Sequence, residues 1–257
     1  MPFLFATLLL LIGCSVKGDL VSDLPLDLYP STDIEINFQQ DWQATIYHNR
    51  ITYFKETPVG LGKIVFLGDS ITQGASSWND RLGLHNLVNR GIAGDITEGV
   101  LARVSEISHY EPLAVFVLIG INDIFDSHIE GRDEITPQYV ADNILRIATE
   151  IQRKSNSTKV FIQTILPVDL ARYKEVRGVS PDHVVDLNDQ ICQINSILEK
   201  TLQEKPAVKL IDLHKCFVDD RGMLNAGLSP DGVHLNEDGY SIWVETIRGD
   251  VYLSDQL

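Results

Sequence analysis

The sequence predicts an α/β fold in three layers: a five-stranded parallel sheet covered on both faces by helices, an α/β/α sandwich. Two observations predict it. Short apolar runs rich in β-branched and aromatic residues alternate with stretches of helical spacing through the body of the chain. Such alternation builds a parallel sheet with right-handed crossovers. The composition is also that of a globular chain long enough to bury a real core, with 257 residues, 44% of them hydrophobic and 22% charged. No Pro-, Gly- or Ser-rich linker divides residues 32–257, so one domain is expected there.

The elements follow in chain order. Asp41 to Lys55 has helical spacing, with Trp42, Ile46, Asn49 and Tyr53 on one face and Thr45 and Thr52 flanking them; Pro58 and Gly60 end it. Lys63 to Leu67 is an apolar, β-rich run that stops at Gly68, the signature of a buried strand. Leu87 to Asn89 is a weaker strand ahead of Gly91. Ile96 to His109 reads as a helix with Val100, Leu101, Val104 and Ile107 on one face and Thr97 as its cap. Leu113 to Ile119 is apolar throughout, as a strand covered on both faces must be. Tyr139 to Lys154 is helical, through Val140, Ile144, Ile147 and Ile151. Lys159 to Ile165 is a strand halted by Pro167, Val184 to Leu202 a helix, and Val208 to Leu213 the fifth strand. Asn236 to Ile247 closes the chain as a helix capped by Asn236.

In open parallel sheets, functional groups gather beyond the carboxyl ends of the strands. Reactive residue types stand there in this chain. The first strand runs into Gly68-Asp69-Ser70-Ile71-Thr72, which puts Ser70 at a strand-to-helix turn. Alone, such a serine reads as a helix cap; with a base beside it, it is a nucleophile. The second strand ends in Asn89-Arg90-Gly91-Ile92-Ala93-Gly94-Asp95. That is a turn, or a close backbone approach that aims the Gly94 N–H at a developing oxyanion. The third ends in Gly120-Ile121-Asn122-Asp123, a turn-forming pair or a second donor in Asn122. Near the C-terminus, Ser229-Pro230-Asp231-Gly232-Val233-His234 sets a carboxylate three residues before an imidazole on a turn. Asp231 can then orient His234, although the same residues also make an ordinary surface turn.

Taken together, these four blocks resemble the SGNH hydrolases, the GDSL esterase superfamily, over residues 60–245. The first block departs from the family pattern only in Ile71, which stands where leucine is usual. The resemblance implies a flavodoxin-like three-layer fold and ester cleavage through an acyl-enzyme, with no cofactor and no metal. It makes Ser70 the nucleophile, His234 the general base and Asp231 the carboxylate that orients it. The Ser70 N–H, the Gly94 N–H and the Asn122 side chain become the oxyanion hole, while Asp69 and Asp123 brace loops. The Arg90–Asp95 block and the helix ahead of the first strand resemble carbohydrate O-acetylesterases of envelope lipoproteins, which act on sialic-acid or plant-polysaccharide acetyl groups. Trp78, Trp243 and Tyr173 are candidates to stack on a sugar, or else core packing. Arg172, Lys174 and Arg177 form a basic island in the long segment Asp169 to Asp182, suited to an anionic sugar or simply solvated. The alternatives are a lipid or general carboxylesterase (lysophospholipase, thioesterase or platelet-activating-factor-type acetylhydrolase) and a carbohydrate-binding lipoprotein without activity.

Charge and address complete the reading. Lys and Arg total 21 against 36 Asp and Glu, a net charge of −15. That disfavours a nucleic-acid partner or an anionic membrane surface. Phe3 to Ile12 is an apolar run half as long as the roughly 20 residues a spanning helix needs, and it fits a secretory signal. It ends in Leu11-Ile12-Gly13-Cys14-Ser15, which resembles a bacterial lipobox and implies cleavage after Gly13 and acylation of Cys14; the alternatives are a plain cleaved signal or a short apolar N-terminal segment. Residues 14–31 then form a lipidated tether, and the expected location is the cell envelope, with contact to the membrane through the lipid anchor alone. Cys192 and Cys216 could pair in an oxidising compartment, but their apolar settings favour two buried thiols.

Overall fold

The computed structural model describes residues 28–127, 129–179, 185–204 and 207–256. The signal, Cys14 and all of the tether before Leu28 lie outside the described residues. The first half contains α1 (Asp41–Glu56), β1 (Ile64–Gly68), α2 (Ser70–Gly74), α3 (Trp78–Leu82), β2 (Leu87–Gly91), α4 (Thr97–His109), β3 (Ala114–Leu118) and α5 (Ile121–Phe125). The second half contains α6 (Pro137–Lys154), β4 (Lys159–Gln163), α7 (Leu170–Arg177), α8 (Leu187–Leu202), β5 (Val208–Ile211), α9 (His214–Phe217) and α10 (Glu237–Asp255).

The five strands form one all-parallel sheet in the order β2-β1-β3-β4-β5, flanked by helices in three layers. The order reverses at β1, whose successor β2 lies on one side and β3 on the other. Their carboxyl ends bound the crevice where open α/β sheets carry their sites. The strands β1 and β3 are buried at every position because both faces are covered. On one face, Phe66, Phe116 and Phe161 stand in register and stack, with ring centroids 5.2 and 4.4 Å apart. Trp78 of α3 lies flat on Phe66 at 3.8 Å, and Trp243 of α10 meets Trp78 edge-on. The ladder seats α3 and α10 against the sheet. On the other face α4, α6 and α8 pack side by side.

Several expectations change. The helix α1 buries Gln43, Tyr47, Ile51 and Phe54, and turns Trp42 and Tyr53 to solvent. Thr97 is not the cap of α4 but its first residue, held by Asp123. The strands β4 and β5 end at Gln163 and Ile211, short of Ile165 and Leu213. The segment after β4 is not open loop: Asp169 caps α7, and Gly178 ends it with φ +75°. The helix α8 starts behind the Asp186 cap, and α10 runs to Asp255, two turns beyond the expected end. Cys192 is exposed and Cys216 half-buried, and both are free thiols, so the pair of buried thiols does not occur.

Candidate active site

Ser70 is the first residue of α2, directly after β1, and its entry turn is tight. The Asp69 carboxylate accepts the Ile71 N–H at 2.9 Å and caps the helix. A Cβ at Gly68 would lie 2.1 Å from the Leu118 carbonyl, and one at Gly91 2.2 Å from the Gln73 nitrogen. Only glycine lets the end of β1 sit this close to β3 and α2 this close to β2. The Ser70 N–H stands in the first turn, where no intrahelical acceptor exists.

The loop before α10 brings the base. The Ser229 hydroxyl donates to the His234 carbonyl and accepts from the Gly232 N–H, which closes the turn. Asp231 Oδ1 accepts the backbone N–H groups of Val233 and His234. Its Oδ2 lies 2.8 Å from His234 Nδ1, and His234 Nε2 lies 3.1 Å from Ser70 Oγ. Asn236 caps α10 through the Gly239 N–H and holds the loop at its far end. Arg177, grouped in sequence with Arg172 and Lys174, instead places Nη2 2.7 Å from Asp231 Oδ2. Burial acts to raise the Asp231 pKa. The hydrogen bonds from the His234 backbone, the His234 ring and Arg177 outweigh it and hold the carboxyl well below the usual range.

Opposite lies the turn after β2. Arg103 donates to the Gly68 and Arg90 carbonyls and pairs with Asp95, so one buried guanidinium ties the end of β1 to the turn. Gln73 accepts the Ala93 N–H at 2.8 Å and joins the turn to α2. Gly94 has φ +77°, and its N–H has no acceptor among the described residues. Asn122, at the start of α5, donates to the Asp95 carbonyl at 2.9 Å, so its amide stands beside the Gly94–Asp95 segment. Asp123 accepts the Thr97 N–H and hydroxyl, which makes it a brace between α5 and α4.

All five residues proposed from the sequence thus stand at the carboxyl edge of the sheet, and Asp231, His234 and Ser70 form one unbroken chain of polar contacts. Two stacking candidates do not: Trp78 and Trp243 are buried in the aromatic ladder. Tyr173 packs edge-on against Phe125. An aromatic that does stand at the site is Trp42, 50% exposed, whose ring would lie 2.7 Å from a Cβ on Gly94. Sequence reasoning missed it by assigning it to the apolar face of α1. The alternative face, Gln43-Tyr47-Ile51-Phe54, has the same helical spacing and was the available signal.

Comparison with known proteins gives a consistent picture. The sequence profile of the GDSL-like lipase/acylhydrolase family matches residues 66–242. An Arabidopsis thaliana protein described as GDSL esterase/lipase CPRD49 is 27% identical over 70% of this chain and 75% of its own length. The platelet-activating factor acetylhydrolase IB subunit beta homolog of Drosophila melanogaster is 26% identical over 64% of this chain and 71% of its own. Among solved structures, a GDSL-like lipase from Bacteroides thetaiotaomicron superposes with TM-score 0.66 at 20% identity, covering 81% of this chain and 98% of that one. The acetyl xylan esterase AlAXEase superposes with TM-score 0.57 at 21% identity, covering 74% and 99%.

Proposed function

Since the chain belongs to the GDSL-like lipase/acylhydrolase family, a family of ester hydrolases, we propose that it is a serine esterase that removes small acyl groups, chiefly O-acetyl, from carbohydrates. The observation that carries this reading is the run of contacts from Asp231 through His234 to Ser70, at 2.8 and 3.1 Å. In the proposed mechanism His234 Nε2 takes the Ser70 proton as Oγ attacks the ester carbonyl. Asp231 holds the imidazole tautomer and stabilises the imidazolium. The Ser70 N–H, the Gly94 N–H and the second N–H of Asn122 receive the negative charge of the tetrahedral oxygen. The sugar alcohol leaves with the proton from His234, and a water activated by the same base releases acetate.

Support for a small acyl group and a sugar comes from the surroundings. The cleft beside Ser70 is lined by polar side chains such as Gln73, Ser76 and His85, which match hydroxyl groups better than a long acyl chain. Trp42 offers an exposed ring next to Gly94. The Leu11–Ser15 motif supports export and a lipid anchor at Cys14 at the cell envelope. Ser70→Ala should abolish hydrolysis of p-nitrophenyl acetate, and turnover at the parent rate would remove Ser70 as nucleophile. An acetate-release screen over acetylated xylan, pectin and sialic acids identifies the natural ester. A strong preference for octanoyl over acetyl p-nitrophenyl esters would favour a lipid substrate instead.

A further inference from the structure

The cleft beside Ser70 encloses about 810 Å³ and follows the edge strand β2, between α1 and the α2–α3 segment. Its charge is opposite to that of the chain. Against a net charge of −15, the described residues lining the cleft include Arg50, Lys63, His85 and Arg90, and no Asp or Glu. Arg90 is already balanced: it is buried and pairs with Glu106 at 2.8 Å. Arg50 is not. Its Nη2 donates to the Gly91 carbonyl at 3.2 Å, and its Nε is buried with no acceptor. The guanidinium lies 5.0 and 4.9 Å from the ring centroids of Tyr53 and Phe54. No carboxylate among the described residues pairs with it. Burial lowers its pKa against the raising effect of Tyr53, and the charges of Arg103 and Arg90 add to the lowering.

A half-buried guanidinium with a buried, unpaired Nε and no carboxylate partner is costly unless something supplies the negative charge. Its position says what that is. Gly91 pairs with Gly68 in the β1–β2 register, and Ser70 follows Gly68 by two residues. Arg50 is therefore held at the rim of the sheet, in the cleft that Ser70 also lines. We propose that Arg50 binds a carboxylate of the substrate, so that this site takes O-acyl esters of sugar acids. The acyl carbonyl lies at Ser70 and the ring carboxylate at Arg50. The proposal rests on the esterase reading above and adds the chemical class of the alcohol. Arginine suits the role because its planar fork meets a carboxylate through charge-assisted hydrogen bonds. A uronic acid within a polysaccharide and a sialic acid at a glycan end present the same group.

Calorimetric titration of the full chain with D-galacturonate, N-acetylneuraminate and D-galactose reads binding without turnover. At least one acid should bind about 10-fold or more tightly than galactose, as expected for a hydrogen bond to a charged group, and the tighter acid identifies the source. Arg50→Gln should erase the advantage and Arg50→Lys retain part of it. If Arg50→Gln fails to fold, the primary amide of the preferred acid, titrated into the parent protein, should lose the advantage. Equal binding of acids and galactose, no binding of either acid, or an advantage that survives Arg50→Gln or amidation overturns the proposal. The titration involves no ester chemistry. A carboxylate preference in a protein that hydrolyses no ester sinks the esterase reading alone, and ester hydrolysis without a carboxylate preference sinks the Arg50 proposal alone.

Discussion

The carboxamide of Asn122 has two N–H groups and uses one on the Asp95 carbonyl. That bond fixes the amide plane, and the proposed mechanism uses the remaining N–H as an oxyanion donor. Asn122→Ala should therefore stay folded and lose on the order of 10²–10³ in kcat, with little change in KM. A mutant at full kcat on p-nitrophenyl acetate would refute the role. Asp231 shows the same economy. Its two oxygens take two backbone N–H groups, the His234 ring and Arg177. These bonds keep it ionised far into acid, so the carboxylate that orients His234 persists wherever the imidazole can act as a base.

Among the elements, the short helix α2 decides where the serine stands. It docks on β2 without an intervening side chain, because Gly91 presents only hydrogen toward the Gln73 backbone. Gly91→Ala would force a methyl to within 2.2 Å of that nitrogen, and backbone cannot yield as a flexible side chain does. The variant should lose about 1–3 kcal/mol of stability by overpacking and lose esterase activity as α2 shifts Ser70 away from His234. Thermal unfolding and turnover at the parent values would show that the close approach is not needed. The short helix α7 has a comparable effect: by ordering the segment after β4 it delivers Arg177 to Asp231.

At the scale of the molecule, the crevice between β1 and β3 carries three buried carboxyls: Asp69, Asp95 and Asp123. Burial pushes Asp69 up to about 7, against the bond from Ile71 and aided by the charges of Asp95 and Asp123. Burial likewise raises Asp95 to about 6 and Asp123 to about 7. An unfolded Asp titrates near 3.9, so between about pH 4 and 7 the native state holds the extra protons and loses stability as pH rises. Asn cannot ionise. The Tm of Asp69→Asn minus that of the parent should accordingly rise by at least ~2 °C from pH 4.5 to 7.5. A pH-independent difference would mean that Asp69 does not titrate there. The whole chain also carries the proposed anchor. Cys14→Ala should move the protein from the membrane to the soluble fraction on cell fractionation, and unchanged partitioning would end the lipoprotein reading.

By itself the amino-acid sequence determined the strand order along the chain, the covered central strands and the residues with chemistry at the strand ends. Strand burial and turn chemistry are local: an apolar run followed by Gly-Asp-Ser or Pro-Asp-Gly has few conformations open to it. The pairing of Asp231 with His234 was legible locally, whereas the convergence of Ser70, Gly94 and Asn122 on that pair was legible only through family resemblance. Which face of α1 is buried, and hence that Trp42 and Arg50 reach the site, was decided by tertiary structure. Both faces of that helix carry aromatic residues at helical spacing, so periodicity has no preference, and only docking beside β2 and α4 selects one. For the same reason Arg177 read as a contact for an anionic sugar or a solvated charge: its partner Asp231 lies 54 positions away, and an ion pair at that separation exists only once α7 and the loop before α10 have been brought together by the fold.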